Sequence, residues 1–483
     1  MNKFILLLAI STAFLFSSNV FGQESLTLEE VIEVAKSQSP AYKRAETRKE
    51  NRYWQYRVFK SNYVPQLSLS GTLPDFRNTV RPVIQPNGAT EFLSVFNSST
   101  ELSLNLEQSI ALTNTTIFAS SQINRFDDFD DNITVYGGNP VSIGLRQPLF
   151  GFNRLKWDKR IAPLRYEESQ REYVEEFEQI SKDVSSLFFD LLSAQISLQI
   201  AQKNLGNNDT IYKIAQGRYE LGKIPENELL QLELSVMNSR QAVAQSKLDL
   251  ETNQLVLKSY LGIKNTGDLS LKIPEEIPIF LIDPALALEE ALRNRQEAIG
   301  FQRRLLEAES EVARSKGETG LDVNIFGTFG LTDRAEELQA IYQRPGDQQT
   351  LRIEFSIPII DWGRQKSRVQ TSLANLRLEQ YTIEQEKVNF EQEVYTQVKT
   401  LEMLRDQVKI TQKADDISQR RYDIAKNRYL IGKISITDLS IALTEKDQAK
   451  RDYILSLGNF WQAYYNLRQL TLYDFKENIR LIE

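Results

Sequence analysis

Two patterns of apolar residues run along this chain, one with the period of a helix and one with the period of a strand. The helical pattern places apolar residues in steps of three and four, and it occurs once in each half of the chain. Steps that average 3.5 residues are typical of helices packed as in coiled coils. They predict long helices over about residues 154–262 and 363–470. The positions that carry the pattern are Phe177, Ile180, Val184, Leu187, Leu191, Ala194 and Leu198, and then Ile383, Phe390, Val394, Leu401, Leu404 and Val408.

Four shorter segments alternate apolar with polar or small residues, as a strand with lipid on one side and water on the other requires. They predict strands at about residues 63–73 and 140–150 in the first half, and at about 320–331 and 349–360 in the second. Arg352 and Glu354 fall on the polar side of the last strand. The apolar positions are Leu67, Leu69, Leu73, Val141, Ile143, Leu145, Val323, Ile325, Phe329, Leu351, Ile353 and Phe355.

The two halves repeat each other at fixed offsets. Residues 218–224, Arg-Tyr-Glu-Leu-Gly-Lys-Ile, return 210 positions later as Arg-Tyr-Leu-Ile-Gly-Lys-Ile at 428–434. The first strands of the halves align instead at an offset of 256, so the first half carries 46 extra residues within 74–139. This insertion fits either an extra hairpin in the sheet or a large external loop. The duplication indicates a first repeat at residues 23–270 and a second at 271–483.

Residues 1–22 are typical of a secretory signal peptide. Lys3 supplies the positive start, Phe4–Phe16 the apolar stretch, and Val20-Phe21-Gly22 the small-residue cleavage site. A membrane anchor is the weaker alternative, because the apolar stretch is shorter than the roughly 20 residues of a spanning helix. We expect no later helix to cross a bilayer, so any membrane segment would consist of strands.

The composition excludes several kinds of chemistry. The chain has no cysteine and no histidine, which rules out disulfides, thiol nucleophiles, imidazole bases and histidine-ligated metals. The net charge of −7 argues against a nucleic-acid partner. The acidic residues at 127–131 lack the glycine and terminal glutamate of a calcium-binding loop, and no nucleotide-binding loop is present. We therefore expect no enzymatic activity, no cofactor and no metal site.

Four strands, or six if the insertion joins the sheet, cannot close a barrel on their own. An open sheet edge cannot lie in lipid, because its backbone groups would stay without hydrogen bonds. Two copies with four strands each would give a filled barrel of about eight strands, whereas three copies would give about twelve and a water-filled lumen. The predicted fold is mainly α with membrane β-strands: tandem-duplicated long helical hairpins, plus strands contributed to a shared barrel.

In the order and spacing of these segments, the chain resembles the TolC family of outer-membrane efflux and secretion channels. The resemblance rests on Tyr63-Val64-Pro65-Gln66-Leu67, on Gln147-Pro148-Leu149-Phe150 and on the two repeated turns. It implies a homotrimer with a barrel in outer-membrane lipid and a helical tunnel in the periplasm. It also implies a periplasmic adaptor protein and an inner-membrane RND or ABC transporter as partners. The insertion and the turns Phe152-Asn153 and Asp361-Trp362-Gly363 depart from the family pattern.

The resemblance also assigns roles near the two turns. It places an acidic pore constriction at Asp438 and a bracing tyrosine at Tyr429, and a ring of acidic residues favours cations. We expect Asp438 and Glu228 at the constriction, with Tyr429 bracing it; alternatively, both acids only favour the start of a helix. The turns would dock the adaptor, although their glycines also suit plain helix caps. The docking residues are Arg218, Tyr219, Gly222, Lys223 and Ile224, and Arg428, Gly432, Lys433 and Ile434.

The function that this sequence favours is a passive exit duct for small molecules, in the outer membrane and driven by an inner-membrane pump through the adaptor. One alternative is the outer-membrane component of a type I protein secretion system. A second alternative is a structural coiled-coil protein of the envelope, but it would have no use for the alternating strands. Ile434 and Ile441 stand where the family often has a gating arginine and a second acid, which predicts a different or weaker latch.

Overall fold

The computed structural model describes residues 25–264, 267–274 and 276–482, so the predicted signal peptide lies outside the described residues. Each half of the chain contains two short helices, then strands, then two long helices, in that order. The helices are α1 (Leu28–Gln38), α2 (Pro40–Ser61), α3 (Arg154–Glu220), α4 (Glu226–Leu261), α5 (Pro284–Asn294), α6 (Gln296–Gly317), α7 (Arg364–Leu430) and α8 (Ile436–Thr471). The strands are β1 (Gln66–Ile84), β2 (Thr90–Ile110), β3 (Thr115–Asp128), β4 (Ile133–Leu149), β5 (Asp322–Ala335), β6 (Gly346–Ser356), β7 (Tyr473–Asp474) and β8 (Ile479–Arg480).

The helices reproduce the duplication residue for residue. Helices α3 and α7 both have 67 residues, and α4 and α8 both have 36. Helices α1 and α5 both have 11 residues, and α2 and α6 both have 22. Each repeat therefore contains one long antiparallel hairpin, α3/α4 or α7/α8, of the same length.

The chain forms two compact units, and each unit draws segments from both repeats. The first, here called the hairpin unit, comprises the described residues within Met1–Lys43, Gln179–Ile279 and Lys399–Asn466. The second, here called the sheet unit, comprises Arg44–Glu178, Phe280–Val398 and Leu467–Glu483. The two repeats therefore pack side by side within each unit.

The sheet unit contains a six-stranded antiparallel sheet in the order β1-β2-β3-β4-β5-β6. The insertion supplies β2 and β3, so it adds a hairpin to the sheet and is not an external loop. Its turn is held to the start of α3, because the Asn153 side-chain amide donates to the Ala111 carbonyl at 2.7 Å. Among the described residues, β1 and β6 each pair with one neighbouring strand, which leaves an open edge on both sides of the sheet.

One face of this sheet carries a continuous apolar belt. The register places Leu69 opposite Leu104, Ile143 opposite Phe329, and Ile325 opposite Ile353. Except for the half-buried Ile325, these side chains are exposed on the single chain, Leu69 to 71% and Ile353 to 60%. The opposite face carries serine, threonine, asparagine, glutamine and charged side chains. The predicted division into a lipid-suited face and a polar face therefore extends over all six strands.

Most of the predicted helical seam is buried. Val184, Leu191 and Val394 have almost no exposed surface, and the other second-half seam positions are buried as well. We expected no later helix with the length and composition to cross a membrane. This expectation is wrong, because α3 contains a segment of 18 residues that is apolar enough to do so by length and composition. Half of that segment is buried in the structure, as in the core helix of a soluble bundle.

Candidate functional site

The two hairpin turns share one backbone geometry. Gly222 and Gly432 have φ of 70° and 73°, the left-handed region that glycine enters without steric cost. Their N–H groups donate to the carbonyls of Tyr219 and Tyr429, each at 2.8 Å. The next N–H groups, of Lys223 and Lys433, donate to the carbonyls five residues back. This pair of bonds is the Schellman cap, so the glycine and lysine repeated at the same positions of the two turns end a helix in both repeats.

A buried apolar cluster lies beside these turns and joins the two hairpins. Its buried members come from the four long helices α3, α4, α7 and α8, and Ile224 and Ile434 pack against its edge. The glycine, lysine and arginine residues of the turns lie outside this cluster. The buried members are Ile211, Ala215, Leu232, Tyr422, Tyr429, Leu439 and Ala442.

Tyr429 links the second repeat to the first. Its ring is 3% exposed, and its hydroxyl donates to Glu228 Oε1 at 3.3 Å. Burial, and then the charge of Glu228, raise the pKa of Tyr429 to about 12, so the phenol keeps its proton at physiological pH. Arg218 supports the same contact: its guanidinium donates to the Leu430 carbonyl at 2.6 Å and lies 5.9 Å from the Tyr429 ring centre. The structure thus brings Tyr429, Glu228 and Arg218 together.

Asp438 occupies a different setting, at the start of α8. Its carboxylate accepts from the Ser435 hydroxyl at 2.8 Å and from the Ser435 N–H at 3.1 Å, while its own N–H donates to Ser435 Oγ. This is a capping box. The hydrogen bonds from Ser435 hold the pKa of Asp438 below its ordinary value. Asp438 is exposed, and its hydrogen bonds with Ser435 are those of a cap at the start of a helix.

The repeats differ at matched positions. Tyr429 is buried, whereas its counterpart Tyr219 is 40% exposed. Arg218 is partly buried against the second hairpin, whereas Arg428 is exposed. Nearly identical local sequences are therefore buried against the other hairpin in one repeat and exposed in the other.

A buried polar group between the hairpins was missed by the sequence reasoning. The Asn204 side-chain amide donates to Asp447 Oδ2 at 2.5 Å, and Lys446 Nζ lies 3.0 Å from Asp447 Oδ1. Asn207 donates to the Tyr422 hydroxyl at 3.4 Å. Burial, and then the charge of Asp447, raise the pKa of Tyr422 to about 12. The available signal was the appearance of asparagine beyond Leu198, where the helical pattern of apolar residues is interrupted.

The polar face of the sheet also carries an aromatic and charged group. The rings of Phe118 and Phe326 stack with centres 5.8 Å apart, and the Arg352 guanidinium lies 5.8 Å from the Phe326 ring. Arg352 and Glu354 are 3.7 Å apart at their charged atoms and remain mostly exposed. The charged residues predicted for the polar side of β6 therefore lie on the face opposite the apolar belt.

A sheet with a lipid-suited belt, joined to duplicated long helical hairpins, defines a class of envelope channel proteins. The model of the outer membrane efflux protein family matches residues 31–263 and 287–471, one stretch in each repeat. Because these stretches cover most of the chain, this chain belongs to the outer membrane efflux protein family. It is accordingly an outer-membrane channel protein rather than an enzyme. No curated protein matched the chain.

Solved structures share the fold at low sequence identity. A membrane protein from Pseudomonas aeruginosa is 16% identical, with a TM-score of 0.66 over 94% of this chain and 92% of that one. The CmeC outer membrane channel of Campylobacter jejuni is 16% identical, with a TM-score of 0.65 over 92% and 85%. The outer membrane protein VceC of Vibrio cholerae is 14% identical, with a TM-score of 0.63 over 92% and 95%. These similarities establish a common architecture along nearly the whole chain.

Proposed function

We propose that copies of this chain form the outer-membrane exit duct of a tripartite efflux system that expels small molecules. The observation that carries this proposal is the six-stranded sheet with an apolar belt on one face and open edges at β1 and β6. Open edges in lipid would leave backbone groups without partners, so the sheet must close against other copies. An inner-membrane pump, acting through a periplasmic adaptor, supplies the energy.

Three copies would place eighteen strands in one barrel, since each chain contributes six. Barrels of about 16–18 strands enclose an aqueous channel. The polar face, with Arg352 and Glu354, suits a water-filled lumen, and the belt suits the surrounding lipid. The homotrimer itself is the assembly that the family resemblance implies.

We assign the constriction of the duct to the ends of the hairpins that carry the two turns. Asp438 is exposed, and its lowered pKa keeps it charged at neutral pH. Repeated around the axis of a trimer, it becomes an acidic ring of the kind that favours cations. Tyr429 and Glu228 would brace this end, because their hydrogen bond ties the two hairpins of a chain together.

The turns are assigned to the adaptor. Leu221 and Ile431, at the centre of the two turns, are 71% and 66% exposed, and Lys223 and Lys433 are exposed beside them. Exposed apolar side chains rimmed by charge are typical of a protein-binding surface. The rigid caps at Gly222 and Gly432 would present both turns in the same shape.

Dye accumulation tests this function in a strain that lacks the gene, with and without the wild-type gene restored on a plasmid. We expect intracellular dye to rise on deletion and to return to the starting level on restoration. Unchanged dye, together with the loss of an exported protein from the medium, would refute small-molecule efflux and favour type I protein secretion.

A further inference from the structure

The polar face of the sheet carries two phenylalanine rings that contact each other across a glycine. Phe118 on β3 and Phe326 on β5 stack with ring centres 5.8 Å apart and planes inclined by 18°. Gly144 of β4 pairs with Phe118, and a side chain at this glycine would collide with the Phe118 ring and with Thr328. The glycine therefore lets the Phe118 ring lie across β4 towards Phe326. We call the two half-buried rings the aromatic platform.

Two arginines flank the platform on neighbouring strands. The register places Arg146 of β4 and Arg352 of β6 opposite Phe326, so all three side chains point to the polar face. The Arg352 guanidinium lies 5.8 Å from the centre of the Phe326 ring, within the range of a cation–π contact. Arg352 pairs with Glu354 at 3.7 Å, whereas the exposed Arg146 makes no ion pair among the described residues. Arg146 therefore keeps its hydrogen-bond donors available to a ligand.

The sheet does not need these side chains in order to form. At the matched positions of the other repeat, serine replaces both arginines and the phenylalanine of β5, on strands that belong to the same sheet. The matched residues are Ser356 for Arg146, Ser142 for Arg352 and Ser70 for Phe326. Phe118 belongs to the insertion and has no counterpart. The platform and its arginines thus occur once in each chain, on a polar face that serine also provides, which favours a role in binding.

We propose that the aromatic platform and Arg146 bind planar aromatic carboxylates as these molecules pass along the wall of the duct. The ring of such a ligand packs on the platform, as offset-stacked aromatic rings do. Its carboxylate accepts two hydrogen bonds from the Arg146 guanidinium, in the forked geometry that arginine offers and lysine lacks. This proposal rests on the duct described above, because it takes the polar face as the lumen wall, and it adds a class of cargo.

The charges around the platform fix the orientation of the ligand. Glu354 lies beside Arg352, and Glu107 pairs with Phe118 in the register, so both carboxylates repel an anion on their sides of the platform. The anionic end of the ligand therefore lies at Arg146. A channel must bind its cargo strongly enough to admit it and weakly enough to release it. Half-buried rings and an exposed guanidinium meet this requirement, because solvent screens the charge.

Photolabelling of the purified full-length protein in detergent tests this site. The probe is para-azidobenzoate, a flat aromatic carboxylate, and mass spectrometry of the digested protein locates the label. We expect the label on the segments of β3 and β5 that carry Phe118 and Phe326. An excess of naphthoate should remove the label. Naphthalenemethanol, which has the rings without the charge, and cyclohexanecarboxylate, which has the charge without an aromatic ring, should leave most of it in place.

Substitutions at Arg146 separate the charge from the forked geometry. Arg146 is exposed, so its replacement should leave the fold intact. Arg146→Gln should reduce the naphthoate-sensitive label roughly three- to tenfold, the range for a charged hydrogen bond that solvent partly screens. Arg146→Lys keeps the charge without the fork and should give an intermediate reduction. The matched control is Arg81→Gln, at another exposed arginine of the sheet, which pairs with Leu93 and should leave the label unchanged.

The outcomes for the site and for the duct are distinguishable, because labelling of the purified protein needs no pump. Label that is spread evenly over the sheet, or that naphthoate does not remove, would overturn the site and leave the duct standing. Equal labelling of the wild type and Arg146→Gln would also overturn the site. Correctly located label, in a protein whose deletion leaves dye accumulation unchanged, would support the binding site and overturn its role in transport.

Discussion

Replacing Tyr429 by phenylalanine removes one hydroxyl from the hairpin ends and leaves the ring in place. The ring is 3% exposed among Leu232, Leu439 and other apolar side chains, so its packing should not change. What is lost is the hydrogen bond to Glu228. Bonds to charged groups contribute about 1.5–3 kcal/mol. Glu228 is only partly buried, so solvent screening places the loss near the lower bound.

If this bond exists only in the closed arrangement of the hairpins, a loss of about 1.5 kcal/mol changes the closed-to-open ratio roughly tenfold per chain. Single-channel recording in planar lipid bilayers measures this ratio as the open fraction of the pore. We expect Tyr429→Phe to raise it, and Tyr395→Phe, at a 56% exposed position of α7, to leave it unchanged. An open fraction for Tyr429→Phe equal to that of the wild type would refute the bracing role.

Three further predictions follow from the described contacts. Gly432→Ala places a side chain at a φ of 73° with open space around it, so backbone strain alone should lower stability by roughly 1–2 kcal/mol, seen as a lower Tm. Burial raises the pKa of Glu175 to about 7 from 4.5, so the folded state holds its proton more tightly than the unfolded state. Stability should therefore fall as pH rises from about 4.5 to about 7, and Glu175→Gln should flatten this part of the Tm–pH curve. Leu104→Arg, on the apolar belt, should cost roughly 2–4 kcal/mol in the membrane and reduce the amount of channel in outer-membrane fractions.

Matched substitutions separate these effects from general damage. Gly217→Ala lies in α3 with open space around it, so it should raise Tm slightly, in contrast to Gly432→Ala. Ser103→Arg, on the polar face beside Leu104, should leave channel insertion unchanged. A Tm–pH curve for Glu175→Gln that keeps the slope of the wild type would contradict the assignment of that slope to this carboxyl.

The sequence was sufficient for features that depend on local chemistry. The Schellman caps follow from glycine at two matched positions, and the strand faces follow from alternation at residues such as Leu69 and Ile353. The sequence could not predict whether the insertion forms strands or an external loop, because the alternation at Leu102, Leu104 and Leu106 fits both. Only the pairing of Leu104 with Leu69 on one side and Ser121 on the other decides it, and that pairing is not local.

The candidate site shows the same limit. Tyr219 and Tyr429 have nearly the same neighbours in sequence, yet one is half exposed and the other is buried, because only Tyr429 faces the other hairpin of its chain. Asp438 and Glu228 are matched in the same way, but serine at position 435 gives Asp438 a cap partner, and proline at position 225 gives Glu228 none. Their different hydrogen-bond partners therefore depend on tertiary contact and on one neighbouring residue each.

The fusion of two repeats into one chain has a consequence for how such a protein evolves. If each repeat were a separate subunit, a single gene would encode all six subunits of a ring. A mutation that improved one contact between subunits would then occur at all six contacts. In the fused chain, the hydrogen-bonded pair of Asn204 and Asp447 can change without any change at Ala414 and Met237, the residues at the same positions of the other repeat. The two copies have diverged in this way, because the first pair is polar and hydrogen-bonded whereas the second is apolar and exposed.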